Sequence, residues 1–189
     1  PMDTDDPSQA LPALAALAEQ GDATALASHA EAVVRWLGPD RECAQAALDV
    51  LDLLEPATVA LHAEAMLSRL ELTESSLRYR VVEVLATMEP TELARAASAV
   101  HSFIAHSDEG VRRRAVELLG KLNPADLAQN VAPVLSCLDD EDEDVRLTAT
   151  EALCRLEPAE LKAHLEAVLK LLDDGESCVR LSALWAVSR

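Results

Sequence analysis

Residues 111–144 read VRRRAVELLGKLNPADLAQNVAPVLSCLDDEDED, and residues 145–178 read VRLTATEALCRLEPAELKAHLEAVLKLLDDGESC. The two stretches align without a gap. Both open with Val-Arg, both carry Leu-x-x-Leu followed by Asn-Pro or Glu-Pro, and both end in an acidic run. A further copy opens at Val179. A fixed period of this size is typical of stacked-repeat proteins, in which each short unit buries its apolar face against its neighbours.

The 34-residue period extends through the chain. One column of the repeat is proline, at Pro56, Pro90, Pro124 and Pro158. Another is apolar, at Leu51, Leu85, Leu119, Leu153 and Val187. These columns predict a single repeat array over 9–189, preceded by a disordered lead-in or tag remnant over 1–8. The predicted units are 9–42, 43–76, 77–110, 111–144, 145–178 and a half-unit, 179–189.

Each unit is predicted to form two helices. Apolar residues of the first half fall on one helical face, as at Val111, Ala115, Leu118 and Leu119. The residue before proline disfavours helical geometry, and proline suits the first turn of the next helix. Thr73 and Ser107 are candidate N-caps, and Pro133 is expected to kink its helix. The sequence therefore predicts an all-α solenoid of about eleven helices without strands.

The charge limits the classes of partner. Thirty-four acidic residues against sixteen basic ones give a formal charge of −18. Nucleic acids and anionic membranes are poor partners for such a chain, because neutralising phosphates requires clustered Lys and Arg. A basic protein surface is electrostatically permitted, above all at an acidic rim formed by Asp139 to Asp144 with Asp173, Asp174 and Glu176. Acidic loops that only keep the protein soluble are the alternative.

Localisation is inferred from the cysteines and from the absence of targeting signals. The four cysteines have no CxxC spacing and occupy four different positions of the repeat: Cys43, Cys137, Cys154 and Cys178. Free thiols in a reducing compartment explain them better than disulfides or zinc. No signal peptide or membrane-spanning stretch is recognised. The sequence therefore favours a cytoplasmic or nuclear protein.

An acidic-x-x-[Val/Leu]-Arg element recurs at 74–78, 108–112, 142–146 and 176–180 and resembles the HEAT repeat. In HEAT proteins such acidic and Arg residues pair between neighbouring repeats. The resemblance implies a ladder joining Arg78, Arg112, Arg146 and Arg180 to Glu74, Asp108, Asp142 or Glu176. Ala44 stands where the earlier arginine would be, so the ladder is expected to start late.

The resemblance also implies where partners bind. Second helices line the concave side of HEAT solenoids, which predicts a partner-binding face, hereafter the second-helix face, formed by Leu61, Glu64, Ser68, Arg95, Ser98, Ser102, Gln129, Ser136, Glu166 and Lys170. These side chains are mostly short, so the face is expected to be shallow and weakly charged.

No catalytic or metal-binding constellation is recognised. Asp140, Asp142, Asp144 and Glu151 match four positions of a calcium loop, but Val145 stands where that loop requires glycine. No His-Glu pair, Ser/His/Asp arrangement or phosphate loop is present. We therefore expect no cofactor, no metal and no enzymatic activity.

The favoured function is a protein-interaction scaffold, interpreted as a segment of a longer HEAT-repeat protein. An enzyme like the HEAT-like lyases and a structural spacer without a dedicated partner are the alternatives. Trp185 replaces the acidic residues of earlier units, and Leu181 and Leu184 flank it. This apolar patch predicts weak self-association through the C-terminal helix.

Overall fold

A computed structural model describes residues 7–20, 23–69 and 75–189. Within these ranges every regular element is helical, which confirms the predicted all-α repeat fold. Seven α-helices precede residue 101: α1 (Pro7–Glu19), α2 (Ala23–Ser28), α3 (Ala30–Arg35), α4 (Arg41–Leu51), α5 (Pro56–Ser68), α6 (Ser75–Leu85) and α7 (Pro90–Val100). Seven follow it: α8 (Glu109–Gly120), α9 (Pro124–Gln129), α10 (Val131–Ser136), α11 (Glu143–Leu153), α12 (Pro158–Ala163), α13 (Leu165–Lys170) and α14 (Ser177–Val187).

The helix boundaries keep the period of the sequence. The first helices of successive units begin 34 residues apart, at Pro7, Arg41, Ser75, Glu109, Glu143 and Ser177. Each begins two residues before the predicted unit boundary. The helix therefore includes Pro7 and Ser8, which the sequence had assigned to the lead-in. Proline is well suited to a first helical turn, since its missing N–H would have no partner there.

Fourteen helices are described where eleven were predicted, because three second helices are each interrupted at one residue. The interrupting residues are His29, Asn130 and His164, with φ of −104°, −112° and −110° and ψ of 0°, 19° and 10°. These angles lie between the helical and extended regions. The helix that was predicted to kink at Pro133 is interrupted three residues earlier, at Asn130. Proline is not required for such an interruption, because the equivalent helix is interrupted at His164 and carries Ala167 at the position of Pro133.

The chain folds as two compact units, Pro1–Ala99 and Val100–Arg189. The single array predicted over 9–189 stays a prediction. Both cores consist mainly of Leu, Val and Ala, as the low aromatic content implies, with Leu48 and Leu51 in the first unit and Leu118 and Leu119 in the second. In the second unit α11 packs against both α8 and α14.

Candidate functional site

Aspartates cap the first helices. Oδ1 of Asp108 accepts a hydrogen bond of 3.2 Å from the backbone N–H of Val111, and Asp142 accepts one of 3.1 Å from Val145. Such caps satisfy N–H groups that have no partner inside the helix. The expectation that Ser107 caps α8 is therefore wrong, and Thr73 lies outside the described residues.

Arg112 makes a bidentate contact with a carboxylate in the loop at the end of its own repeat unit. Its Nε and Nη2 both donate to Asp140 at 2.8 Å, while Nη1 donates to the backbone carbonyls of His106 and Ser107 at 2.9 and 3.2 Å. The side chains of Arg112 and Asp140 are only 8% and 10% exposed. Two parallel charge-assisted hydrogen bonds in a mostly dry site fix both position and direction.

Arg146 repeats this arrangement one unit later. Its Nε and Nη2 donate to Asp174 at 2.8 and 3.0 Å, and Nη1 donates to the carbonyls of Asp140 and Glu141 at 2.8 and 3.1 Å. The aspartate also orders its own loop, since Asp174 accepts a hydrogen bond of 2.9 Å from the backbone N–H of Glu176. Each paired aspartate therefore joins the previous repeat to the loop that precedes the next helix.

These contacts correct the acidic partners predicted for the ladder. Arg112 and Arg146 pair with Asp140 and Asp174, not with Asp108 and Asp142, because the latter two cap their own helices. Glu176 occupies the N-cap position of α14 without a side-chain cap hydrogen bond. Glu74 and the side chain of Arg78 lie outside the described residues.

The first compact unit, Pro1–Ala99, holds a different arginine contact. Ala44, at the ladder position, is fully buried. Arg80 instead donates to Asp49 at 2.9 Å and Asp52 at 2.5 Å, with both carboxylates well exposed. Exposed pairs of this kind contribute little to stability.

The ladder aspartates have low pKa values. Hydrogen bonding from Arg146 lowers the pKa of Asp174, and the backbone N–H of Glu176 lowers it further. For Asp140, burial would raise the pKa, but hydrogen bonds from Arg112 and the backbone of Asp142 outweigh it, so its pKa is also lowered. Both carboxylates are therefore held in the charged form that the arginines require.

Acid should selectively weaken this pairing. The folded-state pKa of Asp174 lies below its ordinary value of 3.8, so the stabilisation is present above that value and is lost as the pH falls through the folded pKa. We expect the stability of Asp174→Asn to fall less between ~pH 5 and ~pH 2.5 than that of the unsubstituted protein. Urea unfolding followed by circular dichroism measures this. Asp173→Asn, at the exposed neighbour, should retain the original slope, and an unchanged slope in Asp174→Asn would contradict the assignment.

The second-helix face is accessible. All ten of its predicted residues are exposed. Two of its hydroxyls turn back on their own helices, since Ser68 donates to the carbonyl of Ala65 and Ser136 to that of Pro133. Gln129, one of the ten, borders a groove of about 590 Å³ between α9 and α12, which is also lined by Asn123, Pro124, Ala125, Ala128, Glu157, Ala159 and Glu160. Short apolar side chains with acidic edges form a contact surface rather than a convergent catalytic pocket.

The described residues also show how the candidate metal ligands and thiols are placed. Asp140 and Asp142, of the calcium-like loop, are engaged by Arg112 and by the start of α11. No group of three or more His, Cys, Asp or Glu in the described part could hold a metal ion. Burial raises the pKa of Cys137 and Cys154 to about 11, so both are protonated thiols at neutral pH. None of the helices described above is both long and apolar enough to cross a bilayer.

The C-terminal patch is exposed, as predicted. Leu181, Leu184 and Trp185 are 68%, 57% and 57% accessible. The guanidinium carbon of Arg189 lies 5.6 Å from the centre of the Trp185 ring. Leu181 and Trp185 border a groove of about 580 Å³ between α11 and α14, which Leu147 and Cys178 also line.

Sequence reasoning named Arg112 and Arg146 as ladder arginines but missed the aspartates with which they pair. A usable signal was present, because Asp140 and Asp174 each lie 28 residues after their arginine and 34 residues apart. His106 holds the same position one repeat earlier, where its Nδ1 accepts a hydrogen bond of 3.0 Å from the backbone N–H of Asp108. The helix interruptions at His29 and His164 had no recognisable signal.

The model of the family described as HEAT repeats matches residues 63–153. No curated protein is significantly similar to the chain in sequence.

Solved structures share the fold. An archaeal HEAT-like repeats protein from Thermococcus onnurineus NA1 is 17% identical, with a TM-score of 0.62 over 97% of this chain and 82% of that one. The complex of CpcE and CpcF of phycocyanin lyase from Nostoc sp. PCC7120 gives 19% identity and a TM-score of 0.62 over 85% and 98%. A designed armadillo repeat protein in complex with the peptide (KR)4 gives 19% and 0.61 over 96% and 91%.

Proposed function

We propose that this helical repeat chain, whose residues 63–153 match the HEAT-repeat family model, is a non-catalytic scaffold that binds protein partners. One observation carries the proposal: all ten side chains predicted to face a partner are exposed on second helices, where a shallow groove of small residues runs between α9 and α12. In each unit, exposed side chains of this kind offer contact area and no focus for chemistry.

A basic partner is favoured at the acidic rim. Asp140 and Asp174 are neutralised by Arg112 and Arg146. Asp142 is half-buried and caps α11. The other six rim acids are exposed: Asp139, Glu141, Glu143, Asp144, Asp173 and Glu176. A designed armadillo repeat protein that shares the fold has been solved in complex with the basic peptide (KR)4, which is consistent with a basic partner. Complementary charge speeds association and selects partners, and it weakens as salt screens it.

Capture from the native proteome, followed by titration of the purified partner, tests the proposal. The acidic-rim variant Glu143→Lys/Asp173→Lys is compared with a control of equal charge, Glu42→Lys/Glu83→Lys, made at exposed acids outside both the rim and the groove between α9 and α12. We expect the rim variant to bind roughly tenfold more weakly and the unsubstituted complex to weaken between ~50 and ~500 mM salt. Affinity indifferent to salt and to the rim variant would refute the basic partner, while failure to capture any protein would favour the spacer.

A lyase-type enzyme is the second candidate, because the CpcE–CpcF complex of phycocyanin lyase shares the fold. The buried thiols of the second unit, Cys137 and Cys154, argue against it, because both are protonated at neutral pH and are therefore poor nucleophiles. A phycocyanin-lyase assay followed by mass spectrometry separates the two functions. Repeated turnover would show that the protein is an enzyme and would contradict the scaffold proposal.

Weak self-association through Leu181, Leu184 and Trp185 belongs to the same proposal. Exposed apolar patches tend to associate, and Trp185 stands where Glu83, Glu117 and Glu151 carry charge in earlier units. We expect concentration-dependent sedimentation approaching ~1 mM, the range of weak interfaces, and a monomer in Trp185→Glu. Leu61→Glu, at a leucine 76% exposed, is the control and should associate like the unsubstituted protein. A clean monomer of the unsubstituted protein at ~1 mM would contradict the prediction.

A further inference from the structure

The groove between α9 and α12 has two walls of different charge. Its α9 wall carries the neutral amides of Asn123 and Gln129, and its α12 wall carries the exposed carboxylates of Glu157 and Glu160. Small apolar side chains make up the rest of the lining: Pro124, Ala125, Ala128 and Ala159. None of these lining residues is basic, and none belongs to the acidic rim. The groove is therefore a surface separate from the rim, apolar over much of its lining and negative along one wall.

Within the described residues, the carboxylates of Glu157 and Glu160 have no partner. The acids at the position of Glu160 in two earlier units are both engaged. In α7, Glu92 accepts a hydrogen bond of 3.3 Å from the backbone N–H of the residue before the helix, and in α9, Asp126 accepts one from the side-chain amide of Asn123. Glu157 forms no side-chain cap, and no described residue forms a hydrogen bond or an ion pair with either carboxylate of the α12 wall. Both carboxylates are therefore available to a ligand.

The chemistry of this groove fits an arginine side chain. Residues three apart on a helix are neighbours, with Cβ atoms roughly 5–6 Å apart, so a guanidinium placed between Glu157 and Glu160 can donate to both. Its charge also offsets the repulsion between the two carboxylates. The methylene stem of an arginine packs on apolar side chains, which Ala128 and Ala159 provide here. The groove volume of about 590 Å³ lies in the range of ligand pockets, roughly 300–1,000 Å³, so a neighbouring aliphatic side chain is accommodated as well.

We propose that this groove is the docking site for an extended segment of a partner protein that carries an arginine beside an aliphatic residue. The proposal rests on the scaffold function and deepens it, because it names the side chain that the groove recognises and places that contact away from the acidic rim. Charge complementarity selects the occupant. The formal charge of −18 favours the approach of a cationic segment and disfavours a second copy of this chain.

Random dodecapeptides displayed on phage and panned against the full chain provide the probe. Parallel panning against Glu157→Gln/Glu160→Gln identifies the peptides that need the two carboxylates, because glutamine keeps the shape of glutamate and removes its charge. We expect the peptides retained only by the unsubstituted chain to carry an arginine next to leucine, isoleucine or valine. Selection of peptides that are retained equally by both chains, or that carry no basic residue, would overturn the proposal.

Calorimetric titration of the most enriched peptide, made synthetically, measures each contribution. Its affinity should fall roughly tenfold in Glu157→Gln/Glu160→Gln, and by the same factor when glutamine replaces the arginine of the peptide. Ala125→Trp, which fills the groove from an exposed position, should abolish saturation up to ~1 mM. The control Glu42→Gln/Glu83→Gln removes the same charge at exposed acids elsewhere and should bind like the unsubstituted chain. Circular dichroism verifies that each variant is folded.

The acidic-rim variant separates this groove from the rim. At ~150 mM salt, where exposed charges more than roughly 8 Å apart are screened, Glu143→Lys/Asp173→Lys should change the affinity of the peptide by no more than about twofold. A loss confined to the rim variant places the peptide at the rim, which refutes the groove as its site and leaves the scaffold standing. Failure to capture any protein from the proteome contradicts the scaffold instead, whatever the peptide does.

Discussion

Replacing Arg112 with alanine should lower the free energy of unfolding by about 3 kcal/mol. The side chain is 8% exposed and makes five hydrogen bonds, two to Asp140, one to Glu141 and two to backbone carbonyls. Its removal leaves the carboxylate of Asp140, itself 10% exposed, without its counter-charge. The cost is large because an unpaired charge remains in a poorly hydrated site, and water replaces only part of what was lost.

Arg113 supplies the matched control from the same helix turn. It pairs with Asp144 at 3.1 Å, but the two side chains are 33% and 58% exposed. Arg113→Ala should therefore cost at most about 1 kcal/mol, with the same change in helix propensity as Arg112→Ala. Urea unfolding of the full chain followed by circular dichroism gives both values. Equal losses in the two variants would show that burial of the Arg112 pair does not contribute as described.

Much of the fold could be predicted from the sequence because it depends on patterns that repeat. The proline column stops one helix and starts the next by local sterics, so helix starts at Pro56, Pro90, Pro124 and Pro158 needed no knowledge of packing. The apolar columns are buried because each helix must pack its apolar stripe against its neighbours, and that stripe recurs at the same positions in every repeat.

The pairing of the ladder could not be read in the same way. Asp108, Asp140 and Asp142 are all acidic and all lie within a few residues of a helix start. Which of them meets Arg112 depends on the path of the loop and on which carboxylate is occupied in capping a helix. Asp142 is held by the backbone of α11, which leaves Asp140 facing the arginine. Competition between capping a helix and pairing with the ladder arginine decides which aspartate is the partner, and spacing alone does not reveal the outcome.

The candidate binding surfaces were also only partly predictable from the sequence. Exposure of the second-helix face follows from the helical period, because residues opposite a buried stripe face solvent. The contacts of Arg180 are different, because its hydrogen bonds to the carbonyls of Asp174 and Gly175 could not be inferred from the sequence. They were identified by comparison with Arg146, which donates to the two equivalent carbonyls one repeat earlier.

Gly120→Leu should destabilise the protein by about 2 kcal/mol, through the contact between the first helices of adjacent repeats. Gly120 ends α8, and a Cβ added there would lie 3.2 Å from Cβ of Ala152 and 3.6 Å from its Cα. Ala152 is itself buried on α11, so the backbone of that helix, rather than a flexible side chain, would have to move. A leucine adds three further carbon atoms to a site already in contact with its neighbour.

Alanine at Gly120 should instead be close to neutral. The gain in helix propensity over glycine, about 1 kcal/mol, opposes a displacement of α11 by a few tenths of an ångström. Gly175 provides the control, because a Cβ there meets no atom within 4 Å, and Gly175→Leu should change the stability by no more than ~0.5 kcal/mol. Urea unfolding of the four proteins, with the unsubstituted chain as reference, measures all three differences. If Gly120→Leu is as well tolerated as Gly175→Leu, α8 and α11 are not in the close contact on which the register of Arg112 and Asp140 depends.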